Sequence, residues 1–258
     1  MKLVTPAHAR ELEIERVGLT IAAGRLPVAT PEIVAEGELE GWPYLVMTLL
    51  GGEPAEGLWG RLDGGTRARL IAEMGALAAA IHALPLADAG ALRMDWRAYL
   101  EARRAAMVDK HRARGLDERW IAEVVEFVDA LPPVAEWPAD EVFLHNDIHL
   151  DHVHLAIDGG TPRLCGFLDF ADAQIGAREA EFVTVGGFLA VTDPHAASIF
   201  LRGYGMSPEA LTPELARRLT GHVLVNRYCD IAPILRRYPE EARPRSLAEL
   251  HRRMWDFG

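Results

Sequence analysis

The stretch from Val142 to Glu181 concentrates titratable side chains. Four of the ten histidines fall between His145 and His154, interleaved with Asp147 and Asp151. The apolar run Val142-Phe143-Leu144 delivers that cluster, and a second run, Phe167-Leu168, delivers Asp169. Burying such groups unpaired is costly, whereas strand ends hold them rigidly with one side open to a ligand. Two carboxylates brought together can hold a divalent cation, and one of them can accept a proton from a hydroxyl nucleophile. Asp147 and Asp169 are the candidate pair, on the expectation that each follows a strand of one hairpin whose turn is Ile157-Asp158-Gly159-Gly160. His152 offers an imidazole as a further ligand, and His145 is placed to hydrogen-bond the loop backbone. His149, Asp151 and His154 read as solvated or structural.

The elements that position these groups follow from hydrophobic periodicity. Residues 6–23 predict a helix, with Ile14, Val17 and Ile21 at helical spacing and Gly24 as its stop. Ile33-Val34-Ala35 and Tyr44-Leu45-Val46-Met47 predict two strands joined by the turn Glu40-Gly41-Trp42-Pro43. Gly51-Gly52-Glu53-Pro54 breaks the pattern and reads as a linker between lobes. Helices follow over 66–84, 95–113 and 117–131, the last capped by Asp117 and ended by Pro132-Pro133. After the strand pair, two or three more helices are expected over 177–258, interrupted near Gly205 and Pro213. The chain thus divides into a small α/β piece, residues 1–50, and a large helical piece holding one hairpin, residues 51–258.

Composition sets outer bounds. The 258 residues, half of them hydrophobic and a quarter charged, suffice for a full core. A formal net charge of −11 argues against a nucleic-acid partner, which needs a basic footprint, and favours cationic or metal-bound ligands. No run approaches the ~18 apolar residues of a membrane span. Cys165 and Cys229, the only cysteines, read as buried free thiols in a reducing compartment. The expected setting is cytoplasmic, with no membrane partner.

His145-Asn146-Asp147, four residues, then His152 resembles the His-x-Asp-x-x-x-x-Asn catalytic loop of the aminoglycoside phosphotransferase and choline kinase group. Gly166-Phe167-Leu168-Asp169-Phe170 is similar to that family's metal-binding strand end. Glu181 falls where the family often has an Asp bracing the catalytic loop. Gly41-Trp42-Pro43-Tyr44-Leu45-Val46-Met47 looks like the passage to the adenine-binding hinge, and Gly51-Gly52-Glu53-Pro54 like the segment after it. The resemblance implies an α+β, protein-kinase-like two-lobed fold, with a reduced N-terminal β-lobe and a large, mostly helical C-lobe.

It also implies roles. Asp147 orients or deprotonates the acceptor hydroxyl. Asp169 binds the magnesium that bridges the phosphates of ATP or GTP. His152 takes the place of a second metal ligand, normally Asn, and imidazole is softer than an amide oxygen. Lys2, one of only two lysines, holds the phosphates and pairs with Glu15. Met47 backs the adenine pocket, and backbone groups of Thr48, Leu49 and Leu50 meet the adenine edge. His145 and Glu181 brace the loop. The acceptor is a small-molecule hydroxyl compound, expected to be cationic.

The chain opens at the strand carrying Lys2, without the hairpin and glycine-containing phosphate loop that the resemblance puts before it. An open edge strand there invites a homodimer. That feature and His152 also support a nucleotide-binding pseudokinase. A third expectation comes from Asp147-x-His149-x-Asp151-His152, which approximates the metal motif of metallo-β-lactamase-like hydrolases. It takes His149, Asp151 and His152 as ligands, completed by His195 or His222.

Overall fold

Leu12, Leu19, Ile21 and Ala22 turn one face of helix α1 (Ala9–Ala22) into the core, and this helix packs over a small antiparallel sheet. The computed structural model describes residues 1–193 and 195–257. The sheet has the order β1-β3-β2, from β1 (Lys2–Leu3), β2 (Ile33–Leu39) and β3 (Trp42–Met47). The turn between β2 and β3 is Glu40-Gly41, both at positive φ (52° and 84°), the backbone that a tight two-residue hairpin requires. Trp42 and Pro43 therefore belong to β3 and not to the turn: Trp42 pairs with Leu39 and Pro43 with Glu38. The first helix is also shorter than periodicity predicts, because Pro6–His8 form a 3₁₀ turn ahead of it.

The chain enters the second lobe through β4 (Glu53–Pro54), which pairs with β6 (Val153–Asp158). Gly52 is required at this crossing. Its φ is +78°, and a Cβ there would stand 2.5 Å from the Leu155 carbonyl oxygen and 2.6 Å from Cys165 Sγ. Helices α2 (Ala55–Trp59), α3 (Gly64–His82), α4 (Trp96–Ala113) and α5 (Glu118–Asp129) follow. Asp63, Asp95 and Asp117 cap the last three by accepting backbone N–H bonds from Thr66, Ala98 and Trp120.

The strand pairing differs from the sequence expectation. β6 and β7 (Thr161–Phe167) form the hairpin around Gly159-Gly160. The strand that delivers Asp147, β5 (Val142–Leu144), pairs instead with β8 (Gln174–Gly176). A three-residue strand carries too little pattern to announce a partner thirty residues away. A single-turn π-helix at Val185–Leu189 then leads into α6 (Ala190–Thr192), α7 (Ala196–Gly203), α8 (Pro213–Val225), α9 (Ile231–Arg237) and α10 (Leu247–Met254). That is more helices than the two or three expected, because Gly205, Pro213 and the Asn226–Asp230 loop each interrupt the chain. Helices α3 and α7 meet through glycines. A Cβ on Gly75 would fall 2.1 Å from the Phe200 oxygen, and one on Gly203 would fall 2.2 Å from the Ala72 oxygen. No helix among the described residues is long and apolar enough to cross a membrane. Both cysteines are free, but only Cys229 is buried; Cys165 lies on the partly exposed face of β7.

Candidate active site

Two loops converge where the lobes meet. The first leaves β5 at His145, and Asn146 takes a left-handed conformation (φ 67°) that turns the chain sharply. The buried Glu181 carboxylate accepts backbone N–H bonds from both His145 and Asn146, each at 2.7 Å. His145 Nδ1 accepts the N–H of Asp147 at 3.2 Å, so its proton is on Nε2, which faces the Leu168 carbonyl at 3.2 Å. Burial lowers the His145 pKa to about 4, which keeps the ring neutral and this pattern intact. Asn146 Nδ2 donates to the Asp172 carbonyl at 2.8 Å, tying the first loop to the second.

The second loop begins at Asp169, also left-handed (φ 66°), a backbone strain that the surrounding packing must hold. Phe170 does so. It is fully buried, its ring meets Phe143, Phe167 and His145, and it packs on Gly18 of α1, where a Cβ would stand 2.8 Å from its own Cβ. The absent side chain at Gly18 lets the first lobe's helix rest directly on the loop carrying Asp169.

From the first lobe, Lys2 Nζ bonds Glu15 at 2.5 Å and Asp169 Oδ1 at 3.1 Å. Burial works to lower the Lys2 pKa, but the bond and charge of Glu15, with Asp169 behind it, outweigh this and raise it. Glu15 is more completely enclosed, and burial raises its carboxyl pKa despite Lys2. Burial also works to raise Asp169, but Lys2 holds it below the usual carboxylate range.

Asp147 and Asp169 are bridged by an imidazole. His152 Nδ1 stands 3.0 Å from the Asp147 backbone oxygen and 3.3 Å from Asp147 Oδ2; its Nε2 stands 3.8 Å from Asp169 Oδ2. A carbonyl can only accept, so Nδ1 carries a proton, and Nε2 is turned towards the Asp169 carboxylate. With Nε2 unprotonated, the space between it and Asp169 is a seat for a cation, with one oxygen donor and one nitrogen donor. Asp169 suits a hard ion such as magnesium; the imidazole suits it less.

Of the two places its sequence context allows, solvated or structural, His149 takes the structural one. Its Nε2 lies 3.1 Å from Asp147 Oδ1, and its ring stacks on Phe188. Burial works to raise Asp147, but the His149 bond and the neighbouring imidazoles hold it below the usual range. For His149, burial works to lower the pKa and Asp147 outweighs it. Beside His149 opens a cavity of about 420 Å³ lined by Glu56, Trp59, Arg67, Asp151 and Arg237. A second, of about 240 Å³, lies beyond Asn146, between Glu11, Tyr99, Asp172 and Arg227. At the end of β3, the Thr48 N–H is already bonded to the Glu32 oxygen at 2.9 Å, while the Leu49 side chain is fully exposed. His154 Nδ1 faces the Gly51 oxygen at 3.1 Å.

Sequence reasoning missed Asn146, Gly18 and Phe170. The one signal available was a glycine on the buried face of a helix, one turn past Glu15. The ligand set of the hydrolase reading is not assembled. His195 pairs with Asp256 at 3.0 Å, and His222 is buried edge-on to Trp137.

This arrangement of a small sheet lobe, one helix, and two carboxylate-bearing loops on a helical lobe is the kinase-like architecture. The chain belongs to the phosphotransferase enzyme family, whose model matches residues 1–218. It is similar in structure to the GDP complex of wild-type aminoglycoside 2'-phosphotransferase-IIIa, with a TM-score of 0.67 and 15% identity, over 97% of this chain and 84% of that one. It is similar to the macrolide 2'-phosphotransferase of Brachybacterium faecium, with a TM-score of 0.58 and 22% identity, over 84% of this chain and 71% of that one. A third likeness is to the streptomycin–ATP complex of APH(2")-IIa, with a TM-score of 0.55 and 15% identity, over 88% and 77%. At these identities the likeness establishes the fold: α+β, two-lobed, kinase-like, with a small sheet lobe. It overturns the metallo-β-lactamase-like alternative, in whose motif a helix begins where β6 stands here. No curated protein matches the chain in sequence.

Proposed function

We propose that this protein transfers the γ-phosphoryl group of a magnesium-bound ATP or GTP to a hydroxyl of a small molecule. The observation that carries the reading is the convergence of Lys2, Asp169, His152 and Asp147 into one continuous contact chain across the lobe junction. Magnesium, when bound, neutralises phosphate charge and aligns the transferring group. The rest falls to the protein. Lys2, oriented by Glu15, meets phosphate oxygens from the first lobe. Asp169 and His152 offer the metal-facing atoms. Asp147, held in place by His149 and His152, takes the hydroxyl proton as the nucleophile forms its bond to phosphorus. Glu181 and His145 keep the loop in the conformation that presents Asp147.

The nucleotide lies between residues 1–50 and 51–258. Its adenine or guanine is backed by Met47 and read by backbone groups at the end of β3. Since the Thr48 N–H is engaged, the Thr48 carbonyl and the backbone groups of Leu49 and Leu50 are what is left for the base. Glu56 and Asp151 line one cavity beside His149, and the bond and charge of Asp151 raise the Glu56 carboxyl pKa; an acceptor amine would offset that crowding of carboxylates, which favours a cationic acceptor. A cytoplasmic setting suits the two free cysteines. Pairing of two chains through the exposed edge of the first-lobe sheet belongs to the same reading.

The test is transfer from labelled ATP and GTP, with magnesium, to a panel of aminoglycosides, macrolides and amino sugars. Labelled product supports the reading. Nucleotide binding with no product on any acceptor supports instead the catalytically weak nucleotide-binder, which imidazole at position 152 favours.

A further inference from the structure

Asp147, His149 and His152 each bring one ligand atom into a cluster in which all three lie within 4.8 Å of one another. We propose that this cluster is a site for a borderline transition metal, Zn²⁺ above all, and that its occupation is antagonistic to magnesium-nucleotide binding. The antagonism rests on the function proposed above; the zinc site does not.

The carboxylate–imidazole separations are those of ligands sharing one small ion. Zinc binds imidazole nitrogen and carboxylate oxygen at about 2.0–2.2 Å, which sets ligand–ligand separations near ~3.3 Å. Asp147 Oδ1 is 3.1 Å from His149 Nε2, and Asp147 Oδ2 is 3.3 Å from His152 Nδ1. The two imidazoles lie side by side, with centroids 4.3 Å apart and planes inclined by 33°, and one nitrogen of each falls in the 4.8 Å cluster with the carboxylate. Two imidazoles and one carboxylate suit zinc, copper or nickel, whereas magnesium prefers oxygen throughout. Three protein ligands leave a fourth position for water.

Each histidine has a carboxylate behind it. Asp151 Oδ2 is 3.5 Å from His149 Nδ1, and Asp169 Oδ2 is 3.8 Å from His152 Nε2. A metal-bound imidazole characteristically donates its other N–H to such a carboxylate, which orients the ring and raises its basicity. Without metal, His149 Nδ1 accepts the Asp151 N–H at 3.2 Å and His152 Nδ1 donates to the Asp147 oxygen. Zinc would take the nitrogen of each ring that faces Asp147, leaving the other nitrogen of each ring to donate its N–H to the carboxylate behind it. The antagonism follows. Once Nδ1 of His152 holds zinc, its Nε2 presents a proton to Asp169 instead of a lone pair to magnesium. Asp147 is withdrawn as base in the same event.

The experiment uses the untagged full chain, stripped of metal and titrated with zinc against a chromophoric chelator in excess magnesium. One zinc ion per chain is expected at micromolar affinity or tighter. His149→Gln and His152→Asn should each weaken it by at least the ~10–100-fold that loss of an outer partner alone costs. His154→Gln should leave it unchanged. Cobalt in place of zinc should give the intense visible bands of a tetrahedral ion without a thiolate charge-transfer band, a readout on the wild-type chain that needs no variant to fold. No zinc uptake, equal uptake by both histidine variants, or a thiolate band overturns the site. Zinc should also lower magnesium-ATP affinity, and magnesium-ATP should lower zinc affinity by the same factor. Zinc uptake with magnesium-ATP affinity unchanged or raised overturns the antagonism. Zinc uptake by a chain that binds no magnesium-nucleotide at all overturns the phosphotransferase reading and leaves the zinc site standing.

Discussion

The Glu181 carboxylate and the backbone of Asn146 are joined by a 2.7 Å hydrogen bond, and the same carboxylate takes the N–H of His145. One acidic side chain thus anchors the bend that presents Asp147. Glu181→Gln keeps the shape but offers one oxygen where two are used, and its NH₂ must face a backbone donor. The expected cost is about 1–3 kcal/mol of stability, the penalty for a buried unmatched group. Urea unfolding of the two proteins measures it; an unchanged midpoint would show that the loop does not depend on this brace.

Asp147 and Asp169 should fail differently on substitution. Asp147→Asn removes the proton acceptor while leaving the nucleotide side intact, so transfer should fall by ~10²–10⁴-fold with little change in nucleotide affinity. Asp169→Asn should weaken magnesium-dependent nucleotide binding itself. Steady-state rates and calorimetry on both variants separate the two, and an Asp147→Asn protein at full rate would remove Asp147 from the reaction.

Much of this site was legible because its chemistry is local. A dense run of His and Asp just after an apolar triplet announces itself in one dimension, and Asp169 stands at the end of a second, shorter apolar run. What was not legible is non-local. The pairing of β5 with β8 depends on two three-residue strands with little pattern of their own. The contact of His149 with Asp147 depends on a loop bend set by the left-handed Asn146. Cys165 was read as buried from its apolar neighbours, yet it faces partly outward, because β7 alternates its faces. Gly18 looked like a weak helix position, since its role lies in what it leaves room for.

That role can be measured. Gly18→Ala places a methyl 2.8 Å from Phe170 Cβ. Overpacking of this kind costs ~1–3 kcal/mol, and here the displaced residue is next to Asp169. The variant should lose stability and magnesium-nucleotide affinity together. Gly75→Ala, at the α3–α7 contact, should lose stability with affinity retained in the folded fraction. Thermal unfolding paired with nucleotide titration distinguishes the two.

Stability should decline on mild acidification. Burial pushes His111 down to about 4 and His222 down to about 3. Both are neutral in the folded chain, while in the unfolded chain they take up protons near their usual pKa of about 6.5. Their contribution is complete above pH ~6.5 and is lost as pH falls towards 4, by roughly 3 kcal/mol at most for His111. Urea midpoints between pH 7.5 and 4.5 should fall, and His222→Phe, which keeps the ring against Trp137, should make the fall shallower. A flat profile would show that neither ring is held neutral by burial.

The central claim is that Lys2, Asp169 and His152 form the phosphate end of a magnesium-nucleotide site. Calorimetric titration of the folded, metal-stripped chain with ATP and with GTP, with and without magnesium, tests it most directly. The account predicts binding of at least one nucleotide, dependent on magnesium and weakened by Asp169→Asn. Folded protein that binds neither nucleotide, or binds one equally well without magnesium and with Asn at position 169, would contradict it.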